Sequence, residues 1–185
     1  MYPPIKVGVS ACLLGERVRY DGDHKHDRYI TETLGKLFTF VAVCPEVESG
    51  MSTPREAMRL EGDPAAPRLM THRTRIDKTE QMLAYCKKKV RMLEKEGVYG
   101  FIFKENSPSS GLYQVKVYNE MTGIFTKSGS GLFASAVARY FPQLPLEEDG
   151  RLNDPAIRED FIERVFSYRH WKDSLVSNSC IDPRS

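Results

Sequence analysis

The sequence predicts an α/β fold, a single domain built on a mostly parallel sheet, and three observations carry that reading. Short apolar runs, Ile5 to Val9, Phe38 to Val43 and Val98 to Phe103, lie far apart, with helical periodicity between them. Each run ends in a turn bearing sulfur, hydroxyl or carboxylate groups: Ser10-Ala11-Cys12-Leu13-Leu14-Gly15, Cys44-Pro45-Glu46, and Asn106-Ser107-Pro108-Ser109-Ser110-Gly111. Neighbouring parallel strands bring their carboxyl ends side by side, where open α/β sheets set their ligands. A Rossmann-like sheet flanked by helices would therefore gather the three turns into one site.

Composition allows this and narrows the function. A chain of 185 residues, 41% hydrophobic, can bury one substantial core. With 27 basic and 25 acidic residues the net charge is +2, which gives no general pull toward nucleic acid or a membrane surface. No stretch approaches the ~20 apolar residues of a membrane span, and the N-terminus lacks a basic region followed by an apolar signal core, so a cytoplasmic protein is expected. In a reducing compartment, Cys12, Cys44, Cys86 and Cys180 are expected as thiols or metal ligands rather than disulfides, although none forms a CxxC.

Taken in order, Ile5 to Val9 is the first strand, and Val18-Arg19-Tyr20-Asp21-Gly22-Asp23 is a polar loop with an Asp-Gly turn. Residues 26–38 read as a helix, with Tyr29, Ile30, Leu34, Leu37 and Phe38 on one face. The strand from Phe38 to Cys44 is apolar on both faces, which suits a central, doubly covered position. Periodicity then fails from Met51 to Arg75. Met58-Arg59-Leu60-Glu61 and Arg68-Leu69-Met70-Thr71 flank Gly62 to Pro67 as a small hairpin or lid. Asp77-Lys78-Thr79-Glu80 resembles a capping box, and Gly97 closes the helix it opens. Met82, Cys86, Val90 and Leu93 share the core face of that helix, whereas Lys87-Lys88-Lys89 reads as a solvated face.

Beyond the third strand, Tyr113 to Tyr118 alternates at period two as a half-exposed strand. Ser128-Gly129-Ser130-Gly131 opens a helix carrying Leu132, Phe133, Ala136, Val137, Tyr140 and Phe141, and its free amides are suited either to an ordinary cap or to an anion. Pro142 to Asp149 is linker-like, with two prolines and an acidic triplet. Asn153-Asp154-Pro155 starts a last helix whose stripe, Ile157, Phe161, Ile162, Val165 and Phe166, runs to Trp171 and must bury itself on the domain or a second copy. The expected organisation is a domain over 1–145, a linker and amphipathic helix over 146–175, and a disordered tail over 176–185 that holds Cys180.

These segments, in this order and separation, resemble the bacterial thiouracil desulfidase family over roughly residues 5 to 142. The resemblance rests on Ser10 to Gly15, Val18 to Gly22, Cys44-Pro45-Glu46, Gly50 with Pro54-Arg55, Asp77-Lys78-Thr79 and Ser107 to Gly111. Leu146 to Trp171 resembles the junction of longer members that continue into a second helical domain, here read as the start of one that is missing. The resemblance implies a 4Fe-4S cluster held by three cysteines. Its open iron takes the sulfur of a thiolated pyrimidine, such as thiouracil or a thiolated nucleoside, while water replaces sulfur at carbon.

Carried over by position, Cys12 and Cys44 are two ligands and the third falls on Ser110, while Glu46 falls on the acid/base carboxylate and Ser107 on a substrate-contacting hydroxyl. An alcohol is a harder ligand than a thiol and has a far higher pKa, so a weakly held or unassembled cluster is expected. The alternative is a ligand-binding or regulatory module without a cluster, acting through its C-terminal helix or as a homodimer. Arg19, Asp21, Arg55 and Lys104 adjoin the site either as substrate groups or as an ion-pair network. His24 and His26 lack a ligand spacing, and a zinc site with a cysteine is the remaining metal alternative.

Overall fold

The computed structural model describes residues 4–179, with side chains through Leu175. Along the chain run β1 (Lys6–Ser10), β2 (Thr39–Val43), α1 (Pro45–Glu48), β3 (Met58–Glu61), β4 (Arg68–Thr71), α2 (Thr79–Glu96), β5 (Val98–Phe103), β6 (Val115–Tyr118), β7 (Phe125–Gly129), α3 (Leu132–Tyr140), β8 (Leu146–Glu148) and α4 (Pro155–Ser179). A parallel four-stranded sheet of order β2-β1-β5-β8 forms the centre. Its register sets Ser10 opposite Val43 and Val9 opposite Ile102, so the three predicted turns leave the sheet side by side.

Helices and loops cover both faces, and alternation along β5 assigns residues to each. Phe101 and Phe103 point to one side, their rings 4.3 Å apart and within 5.6 and 6.1 Å of Phe133 on α3. Met82, Cys86, Val90 and Leu93 of α2 join that cluster. Ile102 points to the other side, among Val7, Val9, Ile30, Leu34, Phe161 and Val165. The apolar stripe of α4 thus packs on its own chain through Phe161 and Val165, both fully buried, while Phe166, Trp171 and Leu175 stay 44%, 42% and 48% exposed. Gly100 permits that contact: a Cβ there would stand 2.9 Å from Val165 Cγ2.

The expected hairpin over 58–71 forms, but within a second sheet of order β4-β3-β6-β7, in which two antiparallel pairs join through a parallel β3 to β6 contact. β7 takes in Ser128 and Gly129, which the sequence placed in a loop. The strand expected to be central, β2, lies instead at the edge of the parallel sheet. Phe40 and Val41 pack into different clusters on opposite faces, so apolarity on both sides reports face coverage rather than a second hydrogen-bonded neighbour.

Four further expectations change. The segment 26–38 holds only a wide turn at Tyr29–Thr33 and a 3-10 turn at Leu34–Lys36, too short for a regular helix, although Ile30 and Leu34 are buried as its pattern required. Lys89 is not a solvated residue: it is 8% exposed and pairs with Glu48 at 2.7 Å. The linker-like stretch contains β8, which pairs with β5 through Phe101 to Phe103, so a boundary at residue 145 would cut the sheet. At the other end α4 continues through Ser179, so 176–179 are helical where a disordered tail was expected, and Cys180 lies outside the described residues.

Candidate active site

The first turn begins where β1 ends. Ala11–Leu14 form a single 3-10 turn that Gly15 closes at φ 93°, a left-handed conformation that favours glycine. This buries Cys12, and Ser10 Oγ accepts the Lys104 amide at 2.9 Å, tying the end of β1 to the end of β5. In the second turn Pro45 opens α1, and Glu48 reaches back so that its Oε1 accepts the Cys44 amide at 3.0 Å. Its Oε2 accepts Lys89 Nζ at 2.7 Å and the Tyr85 hydroxyl at 3.0 Å, which anchors the Cys44 turn to α2.

In the third turn Ser107 Oγ accepts the amides of Ser109 at 3.3 Å and Ser110 at 3.1 Å, and the Ser107 carbonyl accepts the Gly111 amide at 2.8 Å. Gly111 is required there, since a Cβ would come within 2.8 Å of that carbonyl. The carbonyls of Pro108 and Ser109 accept the first amides of α3, from Leu132 at 3.3 Å and Phe133 at 2.9 Å. The glycine-preceded helix start therefore binds this turn, and the anion role considered for it falls away.

One cavity of about 430 Å³ opens between the turns, and Cys12, Cys44, Glu46, Ser107 and Ser110 all line it. Glu46 is held from two sides. Its Oε2 accepts Arg55 Nε at 2.6 Å, and its Oε1 accepts the Ser109 hydroxyl at 2.8 Å. Arg55 also donates to the Val18 carbonyl at 2.8 Å, and the Cys44 thiol lies 3.8 Å from that same oxygen. Arg19 and Lys104 line the cavity too, Arg19 paired with Asp21 at 3.3 Å and Lys104 with Asp149 at 2.6 Å. His24 and His26 sit in a neighbouring loop, where His24 Nδ1 accepts the His26 amide at 3.1 Å and His26 Nε2 meets the Thr31 hydroxyl at 3.0 Å.

A family model of 2-thiouracil desulfurase matches residues 7–149. The chain belongs to the 2-thiouracil desulfurase family. It is 30% identical over 132 residues to the uncharacterised protein YbbK of Bacillus subtilis (strain 168), covering 69% of this chain and 85% of that protein. It also shares the fold of the 4Fe-4S-dependent thiouracil desulfidase TudS at 28% identity and a TM-score of 0.66, over 84% of this chain and 98% of that one. The family match ends at Asp149, so it takes in β8 and the acidic triplet.

For this family member the donor set at the cavity is the decisive chemistry. Burial pushes the Cys12 thiol up to about 11, with the nearby Cys44 thiol adding to the rise, and burial raises Cys44 as well. Without a bound cation both are protonated at neutral pH, and metal binding would have to displace those protons. Cys86 points into the core between α2 and α3, away from the cavity. Among the described residues no group of three or more His, Cys, Asp or Glu side chains is placed to hold a metal. Two thiols and the Ser110 hydroxyl do not fit a cluster held by three thiolates.

The sequence pointed to Glu46 and Arg55 separately and passed over Ser109, Glu48 and Asp149. Ser109 was one serine among three in its turn. Glu48 caps its own turn at the Cys44 amide and is fixed there by Lys89 and Tyr85 of α2, and Asp149 reaches the site through Lys104 and the Glu105 amide, long-range contacts for which a single sequence holds no signal.

Proposed function

We propose that this chain is a desulfidase-like protein that takes thiolated pyrimidines, such as thiouracil, between its three turns, with a cluster position one thiolate short. The observation that carries this reading is the meeting of Cys12, Cys44, Ser107, Ser110 and Glu46 around a single cavity in a member of this family. A 4Fe-4S cluster in a complete member would supply an iron that accepts the departing sulfur. In this chain Glu46 takes a proton from the attacking water or passes one to the pyrimidine, and the Arg55 guanidinium and Ser109 hydroxyl hold its two oxygens in place. The Ser107 hydroxyl, fixed by two amides, orients the ring.

With Ser110 at the third position, the protein as it stands binds the thiopyrimidine with little turnover. The donor set favours the second reading, a binding module that works without a cluster, to the same extent that it weakens the first. Purification without oxygen, followed by assay of iron and acid-labile sulfide, tests both. Wild type should carry substoichiometric iron, and Ser110→Cys should raise iron, sulfide and brown colour after reconstitution. Equal iron and sulfide in the two proteins would overturn the proposed defect. A wild type that neither holds iron nor perturbs the near-ultraviolet spectrum of thiouracil would remove the pyrimidine reading altogether.

A further inference from the structure

The acidic triplet that closes β8 sends its carboxylates in three directions. Glu147 accepts Arg151 Nε at 2.7 Å and lies 3.7 Å from Arg164 Nη2, fastening the start of the C-terminal segment. Asp149 accepts Lys104 Nζ at 2.6 Å and the Glu105 amide at 2.8 Å, just before the serine turn. Glu148 goes to the other end of that turn: its Oε1 accepts the amides of Leu112 at 2.7 Å and Tyr113 at 3.0 Å. The segment from Lys104 to Tyr113 is thus gripped at both ends by two adjacent residues, the last of β8 and the one that follows it.

Glu147 and Asp149 are paired with Arg151 and Lys104, whereas Glu148 accepts backbone amides. It is 4% exposed, and burial, together with the carboxylates of Glu105 and Asp149, raises its pKa against the two amides that lower it. A carboxyl group in that setting costs stability that an apolar side chain would not. What it provides in return is position, because the amides it holds follow directly on Ser110 and Gly111. Inside the turn Ser107 in turn holds the amides of Ser109, Ser110 and Gly111.

We propose that Glu148 is a positioning residue for the cavity, fixing the backbone of the serine turn so that Ser107 and Ser110 face Cys12 and Cys44. Only the ligand readout below rests on the thiopyrimidine reading. Amide exchange followed by NMR, thiouracil titration and thermal melting would be compared in wild type, Glu148→Gln and Glu148→Asp. The glutamine keeps length and an acceptor oxygen, so it should exchange and bind as wild type does. The aspartate is one methylene too short to reach both amides. Exchange at Ser110 and Gly111 and the Kd for thiouracil should each rise by about tenfold, as loss of a hydrogen bond gives, with the β1 and β5 amides unchanged.

Wild-type rates at Ser110 and Gly111 in Glu148→Asp would overturn the assignment, as would a rise that appears only together with equal loosening of β5. If the aspartate variant fails to fold, the wild-type protein still decides: unprotected amides at Leu112 and Tyr113 would refute the clamp. Absence of thiouracil binding by wild type would count against the proposed ligand, while the exchange comparison judges the clamp by itself.

Discussion

Glu46 and Arg55 lie nine residues apart in sequence and make one unit, 12% and 8% exposed, with the Ser109 hydroxyl on the free carboxylate oxygen. Arg55 is also held by the carbonyls of Val18 and Ser52, so it keeps partners when the carboxylate is neutralised. In the Ser110→Cys background with its cluster assembled, Glu46→Gln is expected to retain the cluster spectrum and thiouracil binding. Sulfide release should fall by ~10²–10⁴-fold, the range for loss of a general acid or base. Sulfide measured on the same sample as the spectrum checks this. Undiminished release would leave Glu46 with only a structural part, and loss of the cluster would place it in metal assembly.

At the scale of elements, α4 and β5 are joined by a close approach that one glycine allows. A methyl group at Gly100 would meet Val165 Cγ2 at 2.9 Å and the Pro145 carbonyl at 3.3 Å, contacts that neither a packed helix nor a backbone oxygen yields easily. Gly100→Ala is expected to destabilise the protein by about 1–3 kcal/mol through overpacking. Phe161→Ala should cost about 3–5 kcal/mol, because it empties a fully buried ring site against β5. Urea midpoints for the two variants would test this order. A Phe161→Ala protein as stable as wild type would mean that α4 is not part of the core.

For the whole molecule, stability should be limited by different groups at the two ends of the pH scale. Glu61 is fully buried between Arg75 and Arg59, and hydrogen bonding to Arg75 holds its carboxyl down at about 2 from an ordinary 4.5. Its folded pKa lies below its unfolded one, so the stabilisation is present above about 4.5 and is lost as pH falls toward 2, up to about 3 kcal/mol. Cys86 goes the other way: burial lifts its thiol from 9.0 to about 12. The folded state keeps a proton that the unfolded chain gives up above pH 9, so stability declines with rising pH, by about 1 kcal/mol at pH 10. Denaturation midpoints across pH should show an acid limb that Glu61→Gln reduces and an alkaline limb, shared with the raised thiols of Cys12 and Cys44, that Cys86→Ala reduces. A wild-type profile flat from pH 3 to pH 10 would contradict both assignments.

Local chemistry made much of this protein readable before any coordinates. Three apolar runs that end in reactive turns required parallel strands with their carboxyl ends together, and β1, β2 and β5 comply. Gly97 at φ 70° and the buried face of Met82, Cys86, Val90 and Leu93 follow from helix periodicity and the need for a left-handed cap. Strand order was not legible, because apolarity on both faces is shared by a central strand and by an edge strand such as β2 that is covered on both sides. Nor was β8, three residues long and two of them acidic: its membership of the sheet depends on pairing with Phe101 to Phe103, more than forty positions away. The candidate site divides in the same way. Cys12, Cys44, Glu46, Ser107 and Ser110 were visible as residue types at turns, whereas the grip of Ser109, Glu148 and Asp149 on those turns exists only where the folded chain brings distant amides and side chains within hydrogen-bond reach.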